Sequence, residues 1–219
     1  MATILITGAG RGIGLELARQ LAQRGDTVIG TCRSPSAALA DSGAEVLEGV
    51  DVATDAGIGK LQSALAGRRL DVLFNNAGIL TGESLDDLDL DRIRRQFEVN
   101  TLGPLRVTAA LRGCLGPGSK VLIISSRVGS MGDNGSGGMY GYRMSKAAVN
   151  MAGVNLALDL KDAGITVTIL HPGMVATEMT GGRGIPIPDS AANLVARMDA
   201  IGPDDAGRFY HAEGQELPW

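Results

Sequence analysis

Six short runs of this chain are apolar at consecutive positions, without a strict polar alternation: 3–7, 27–31, 44–47, 70–74, 120–124 and 165–170. Strands of that kind belong to a parallel sheet covered by helices on both faces. Helical patterns lie between them, over 14–24, 54–66, 91–111 and 142–163. Repeated β-α units predict a single-domain α/β fold, a doubly wound parallel sheet with helices on both faces and ligands at the carboxyl ends of its strands. The 219 residues suit one such domain, 1–219, and are too few for two large ones. From Gly173 to Ile187 the periodicity stops, and a short helix is expected over Ala191 to Ala200. The stretch of about 174–200 is therefore read as a short substrate lid.

Charge and cysteine usage remove several function classes. The net charge is −4 and no Lys/Arg cluster occurs, so the footprint of a nucleic-acid or anionic-membrane binder is missing. Cys32 and Cys114 have no CxxC spacing, which argues against a disulfide framework or a zinc site and for a reducing cytoplasm. No apolar run approaches the ~20 residues of a membrane span. His171 and His211 show no metal-ligand spacing, and no metal is expected. Small-molecule chemistry is the remaining class.

Between the first strand and the first helix runs Thr7-Gly-Ala-Gly-Arg-Gly-Ile-Gly14. Gly8, Gly12 and Gly14 permit a tight turn, backbone approach to a pyrophosphate and close strand-helix packing, and the helix amino end offers free N–H groups. In this position the loop reads as the phosphate cradle of a dinucleotide-binding Rossmann fold, although its Gly-xxx-Gly-x-Gly spacing departs from the commonest fingerprint. The second strand ends in Thr31-Cys-Arg33 with no acidic residue to receive a ribose 2′-hydroxyl. Arg33, joined by Arg11, can instead clamp a 2′-phosphate, so NADP(H) is expected in preference to NAD(H).

Tyr142 and Lys146 are four residues apart, which stacks them on one helix face. An ammonium beside a phenol favours the phenolate, and the pair is expected to exchange protons near neutrality. Tyr140 competes for the role, but Lys146 is six residues from it and would lie on another face.

With these residues in place, the sequence resembles the short-chain dehydrogenase/reductases nearly end to end. Asp51 and Val52 match the pair that touches the adenine ring. Asn75-Asn76-Ala77-Gly78 matches the motif after the fourth strand, and Asn100 matches the Asn that bends a long helix and holds a water. Ser125-Ser126-Arg127-Val128-Gly129 ends the fifth strand; the register against Gly129 places the catalytic serine at Ser126, with Ser125 the alternative one residue away. Pro172-Gly173-Met174-Val175-Ala176-Thr177 matches the segment that meets the nicotinamide carboxamide. Within the family the chain looks like the small NADP(H)-preferring carbonyl reductases, the C-factor-like and sniffer-like branch.

The resemblance implies a carbonyl-alcohol oxidoreductase acting on an aldehyde, ketone or quinone. Tyr142 is its proton donor or acceptor, Ser126 hydrogen-bonds the substrate oxygen, Lys146 lowers the phenol pKa and holds the nicotinamide ribose, and Asn100 positions a water. The dinucleotide would rest on Gly8, Arg11, Gly12, Ile13, Gly14, Arg33, Asp51, Val52, Asn76, Ala77, Gly78, Tyr142, Lys146, Pro172, Gly173, Val175 and Thr177. Arg127, Val128, Met131, Met174 and Met179 are expected to wall the substrate pocket, with Arg183 the only nearby lid cation, which favours an apolar, uncharged carbonyl compound. Extra residues over Gly132 to Gly138 read as a loop at the entrance. Small residues at Ala147, Ala148, Ala152 and Gly153 suit either a homo-oligomer face or the sheet. The competing function is a dinucleotide-binding signalling or scaffold protein with little turnover; a sugar epimerase or dehydratase would need a longer chain.

Overall fold

A computed structural model describes all residues, 1–219. Its centre is one parallel sheet of seven strands in the order β3-β2-β1-β4-β5-β6-β7. The strands are β1 (Thr3–Ile6), β2 (Thr27–Thr31), β3 (Glu45–Leu47), β4 (Val72–Asn75), β5 (Lys120–Ile124), β6 (Thr166–His171) and β7 (Phe209–His211). Seven helices connect them: α1 (Gly12–Arg24), α2 (Ala37–Ala40), α3 (Asp55–Leu65), α4 (Leu90–Phe97), α5 (Gly103–Ala110), α6 (Tyr140–Asp159) and α7 (Ile187–Ala200).

Successive side chains of a strand point to opposite faces, and here both faces are buried. Ile4, Ile6, Phe74 and Leu122 pack with Leu17 and Leu21 of α1 and Leu194 and Met198 of α7. Leu5, Leu73, Val121 and Ile123 pack on the other side with Leu61 of α3, Val107 of α5 and Val149 and Leu156 of α6. This double burial is why the runs lack polar alternation. The chain builds outward from β1 to β3, then returns to place β4 on the other side of β1. The crevice at the carboxyl ends of β1 and β4 is the topological switch point where such sheets hold ligands.

Three elements differ from the sequence reading. β7 was not expected: it is three residues long and follows a turn, with only Phe209 fully buried to mark it. The helix read over 91–111 is broken by a π-helical segment, Glu98–Leu102, which contains Asn100. The second half of the expected lid is a core element, because α7 starts at Ile187 and buries Ala191, Leu194 and Met198 against the sheet beside α1. Gly153 of α6 faces the sheet, where a Cβ would lie 2.6 Å from Ile169 Cγ1. On the outer side of α6, Met144, Met151 and Leu158 form an exposed apolar stripe at heptad spacing.

Candidate active site

A cleft of about 1100 Å³ opens at the switch point. It is lined by every residue expected to hold the dinucleotide, together with Ser126, Arg127, Val128, Met174 and Met179. The glycine loop forms one wall. At Gly14 a Cβ would lie 2.5 Å from Asn76 Nδ2 and 2.6 Å from the Gly8 carbonyl oxygen, so no side chain fits there. Asn76 occupies that space for a reason: its Nδ2 donates to the Thr7 and Gly8 carbonyls at 3.0 and 3.2 Å. Thr7 Oγ1 in turn accepts from the backbone N–H groups of Asn76 and Ala77. The loop after β1 is thus bolted to the end of β4. Asn75 supports the same strand end by donating to Thr108 Oγ1 at 3.1 Å.

The charged residues of this wall are arranged differently from expectation. Arg33 is exposed at the end of β2, and no carboxylate pairs with it. Arg11 lines the cleft and is paired with Glu178 through exposed side chains. That partner is 167 residues away in sequence, which is why the pairing was not foreseen. Asp51 accepts from the Ala53 N–H at 3.0 Å and from Arg95 at 2.8 Å. Burial acts to raise its pKa, but these two donors and the positive charge of Arg95 and Arg33 hold it below the usual carboxylate value.

At the inner end of the cleft, β5 delivers the serines and α6 the phenol and ammonium. Strand alternation separates the two serines. Ser125 Oγ donates to Asn150 Oδ1 at 2.5 Å and is taken up in that bond, whereas Ser126 caps the turn Arg127–Gly129 and stands beside the Tyr142 hydroxyl. Burial pushes the Tyr142 pKa up to about 12, with the Ser126 hydrogen bond opposing. Burial also pushes Lys146 down to about 8. The expectation that Lys146 lowers the phenol pKa is therefore not met here: its Nζ lies 5.6 Å from the Tyr142 ring centroid and donates to the Ile124 carbonyl at 2.8 Å. Desolvation sets the direction of both shifts.

Asn100 reaches this site from the π-helical segment. Its Oδ1 accepts from the Ile79 N–H at 2.9 Å and its Nδ2 donates to the Ile79 carbonyl and to Ser145 Oγ at 2.8 and 3.0 Å. The extra residue of a π turn widens the helix and turns this amide inward. Between Asn100 and Lys146 stands Gly78, where a Cβ would be 3.4 Å from Asn100 Oδ1 and 3.8 Å from Lys146 Nζ. A glycine keeps that gap open.

The first turn of α6 is held by a buried clasp that sequence reasoning missed. The Glu83 carboxylate, 4 % exposed, accepts from Thr81 Oγ1 at 2.5 Å, Gln96 Nε2 at 3.2 Å and the Gly141 N–H at 3.3 Å. Its backbone carbonyl accepts from the Met139 N–H at 3.0 Å. A carboxylate at a helix amino end also complements the macrodipole. Met139, with φ of 48°, is the one non-glycine residue in the left-handed region, and a Cβ at Gly141 would strike Gln96 Nε2 at 2.2 Å. Both backbone restrictions belong to the clasp, and they orient the residue that follows, Tyr142.

The entrance is walled by two loops. The first, 130–138, is ordered by arginines: Arg127 pairs with Asp133 at 2.7 Å, and Arg143 donates to the Val128 and Gly137 carbonyls and to Ser136 Oγ. Met131 is not a pocket residue; it is 78 % exposed and lines a small groove with Met151 and Trp219, because the loop carries it outward. The second loop is closed at its base by the Ala176 N–H to Ile185 carbonyl and Ile185 N–H to Met174 carbonyl bonds. It presents Met174, Met179 and Arg183 to the cleft. His171 lies at the cleft edge against His211, with ring centroids 5.1 Å apart, and burial lowers its pKa to about 4. It is neutral and remote from proton exchange near pH 7.

A family model of the short chain dehydrogenases matches residues 2–185. The chain is 46 % identical to the 1-hydroxy-2-glutathionyl-2-methyl-3-butene dehydrogenase of Rhodococcus sp. strain AD45 over the whole of both chains. Among solved structures it is similar to the carbonyl reductase Sniffer of Drosophila melanogaster, with 30 % identity and a TM-score of 0.89 over the whole of both chains. It is also similar to a carbonyl reductase from Pseudomonas aeruginosa PAO1 in complex with NADP, with 31 % identity and a TM-score of 0.88 over both full lengths.

Proposed function

This chain belongs to the short chain dehydrogenase family and is an oxidoreductase, and on that premise we propose that it interconverts a carbonyl and an alcohol with NADP(H) as its cofactor. The observation that carries the reading is the meeting of Ser126, Tyr142 and Lys146 at the inner end of a cleft whose other wall is the glycine loop. The residues fit the cofactor. Gly8, Gly12 and Ile13 would hold the pyrophosphate, Asp51 and Val52 the adenine, and Lys146 the nicotinamide ribose. Arg33, unpaired and at the end of a strand with no acid after it, suits a 2′-phosphate. No helix is long and apolar enough to cross a membrane.

NADPH, when bound, supplies the hydride. The Tyr142 hydroxyl, kept protonated by burial, gives its proton to the substrate oxygen, and Ser126 donates a hydrogen bond to the same oxygen as charge builds there. A preorganised donor of this kind contributes roughly 10²–10³ in rate. Lys146, with its pKa near 8, exchanges protons in the working pH range and returns one to Tyr142. With the phenol at about 12 and the ammonium near 8, the resting protonation state suits carbonyl reduction. A second reading, favoured by the 46 % identity to the Rhodococcus enzyme, runs the same groups toward oxidation of a hydroxyl-bearing glutathione adduct. Self-association along the exposed α6 stripe is part of the proposal and is read by light scattering.

The experiment is a panel of aldehydes, ketones and quinones with NADPH and with NADH, and of alcohols including a glutathione adduct with the oxidised cofactors, followed by nicotinamide absorbance. Tyr142→Phe is expected to lose turnover and keep NADPH affinity within about twofold. Undiminished turnover by that variant would refute the assignment.

A further inference from the structure

The substrate side of the cleft holds three arginines, Arg127, Arg143 and Arg183, against two acids, Asp133 and Glu178, in a chain whose net charge is −4. Asp133 is taken up by Arg127 and Glu178 by Arg11. Arg143 and Arg183 have no carboxylate within ion-pair reach, although most arginines of this chain do.

Arg143 is also unusually fixed. Its Nε donates to the Gly137 carbonyl at 3.2 Å, its Nη1 to the Val128 carbonyl at 3.2 Å and its Nη2 to Ser136 Oγ at 2.7 Å. All three acceptors are neutral, so the positive charge stays uncompensated, and each Nη keeps one N–H to spare. The residue follows Tyr142 directly, and the carbonyl that anchors it is two residues from Ser126. Arg183 stands on the loop that carries Met174 and Met179 and gives only its Nε to the Thr180 carbonyl. A fixed cation lacking a counter-ion, with a second one on the facing loop, concentrates field toward an anion in a cleft with apolar walls.

Resting on the carbonyl reductase reading, we infer that the substrate carries a carboxylate or similar anionic group at the end away from its reacting carbonyl, and that Arg143 together with Arg183 receives it. The substrate then has three parts: a carbonyl at Tyr142 and Ser126, an apolar middle against Met174 and Met179, and an anionic end. This replaces the uncharged compound expected from the sequence, where Arg143 was hidden by its neighbour in the Tyr-xxx-Lys motif.

The test uses 3-(4-formylphenyl)propanoate and its primary amide, whose aldehydes are electronically matched, with NADPH. The acid is expected to exceed the amide in kcat/KM by about tenfold, the worth of a charge-assisted hydrogen bond. Arg143→Gln and Arg183→Gln should each cut that ratio several-fold, Arg143→Lys should keep part of it, and added salt should lower it. A wild-type ratio near one, or a ratio untouched in both Gln variants, overturns the inference. Should neither aldehyde turn over, the carbonyl reductase reading is what fails. The anion site is then judged by calorimetry of 3-phenylpropanoate and its amide on the NADP⁺-loaded protein: tighter carboxylate binding that Arg183→Gln weakens supports it, and equal binding refutes it.

Discussion

Lys146 carries its charge at a cost to the fold, and Lys146→Met is expected to stabilise the cofactor-free protein. The side chain is 4 % exposed and its pKa falls from 10.5 to about 8 through burial. At 1.36 kcal/mol per unit, keeping the ammonium charged at pH 7 costs about 3 kcal/mol. Methionine has a similar volume and no charge, but it forfeits the charge-assisted hydrogen bond to the Ile124 carbonyl, worth about 2 kcal/mol. The net gain of about 1 kcal/mol raises Tm by roughly 2–4 °C for a chain of this size. The pH dependence follows from a folded pKa lying below the unfolded one. Between pH 8 and 10.5 the folded protein has released a proton that the unfolded chain still holds, so wild-type stability rises with pH and the advantage of the variant shrinks. Scanning calorimetry of both proteins at pH 7 and pH 10 reads the effect directly. A variant that is less stable at pH 7, or a difference that stays constant with pH, would show that burial does not set the state of Lys146.

Ser126→Ala should lower kcat by about 10²–10³ with little loss of stability. Ser125→Ala should keep kcat within a few-fold while costing about 1–3 kcal/mol, because Asn150 loses its buried partner; the reverse pattern in urea melts and turnover would exchange the two roles. Arg33→Ser should raise the KM for NADPH about tenfold and leave that for NADH nearly unchanged, and a parallel rise for both would remove Arg33 from 2′-phosphate recognition.

The fold was legible because its signal is local. Ile4, Leu5 and Ile6 are apolar in succession, and only a strand covered on both faces uses all three. Phe209–His211 escaped notice because a three-residue edge strand holds too few positions to display a pattern. The glycine loop and the Tyr142 and Lys146 spacing were visible for the same local reason, whereas Ser126 followed from the family resemblance. What the sequence hid is set by tertiary context. The pairing of Arg11 with Glu178, the outward turn of Met131 and the desolvation of Lys146 and Tyr142 each depend on residues or burial that spacing does not encode. Arg143 was in plain view, but its significance lies in having three neutral acceptors and no acid beside it.

The first turn of α6 takes its position from Glu83 and Gln96, which belong to the segment before α4 and to α4 and not to the loop that leads into it. The kink at Met139 marks the border: upstream residues shape the doorway, downstream ones carry the phenol. Residues 131–135 can therefore be exchanged while Tyr142 stays in register, whereas Ser136 and Gly137 must stay because they hold Arg143. A designer seeking a new substrate range can graft a loop there, provided the graft ends before Ser136 and the carboxylate beneath Met139 is kept.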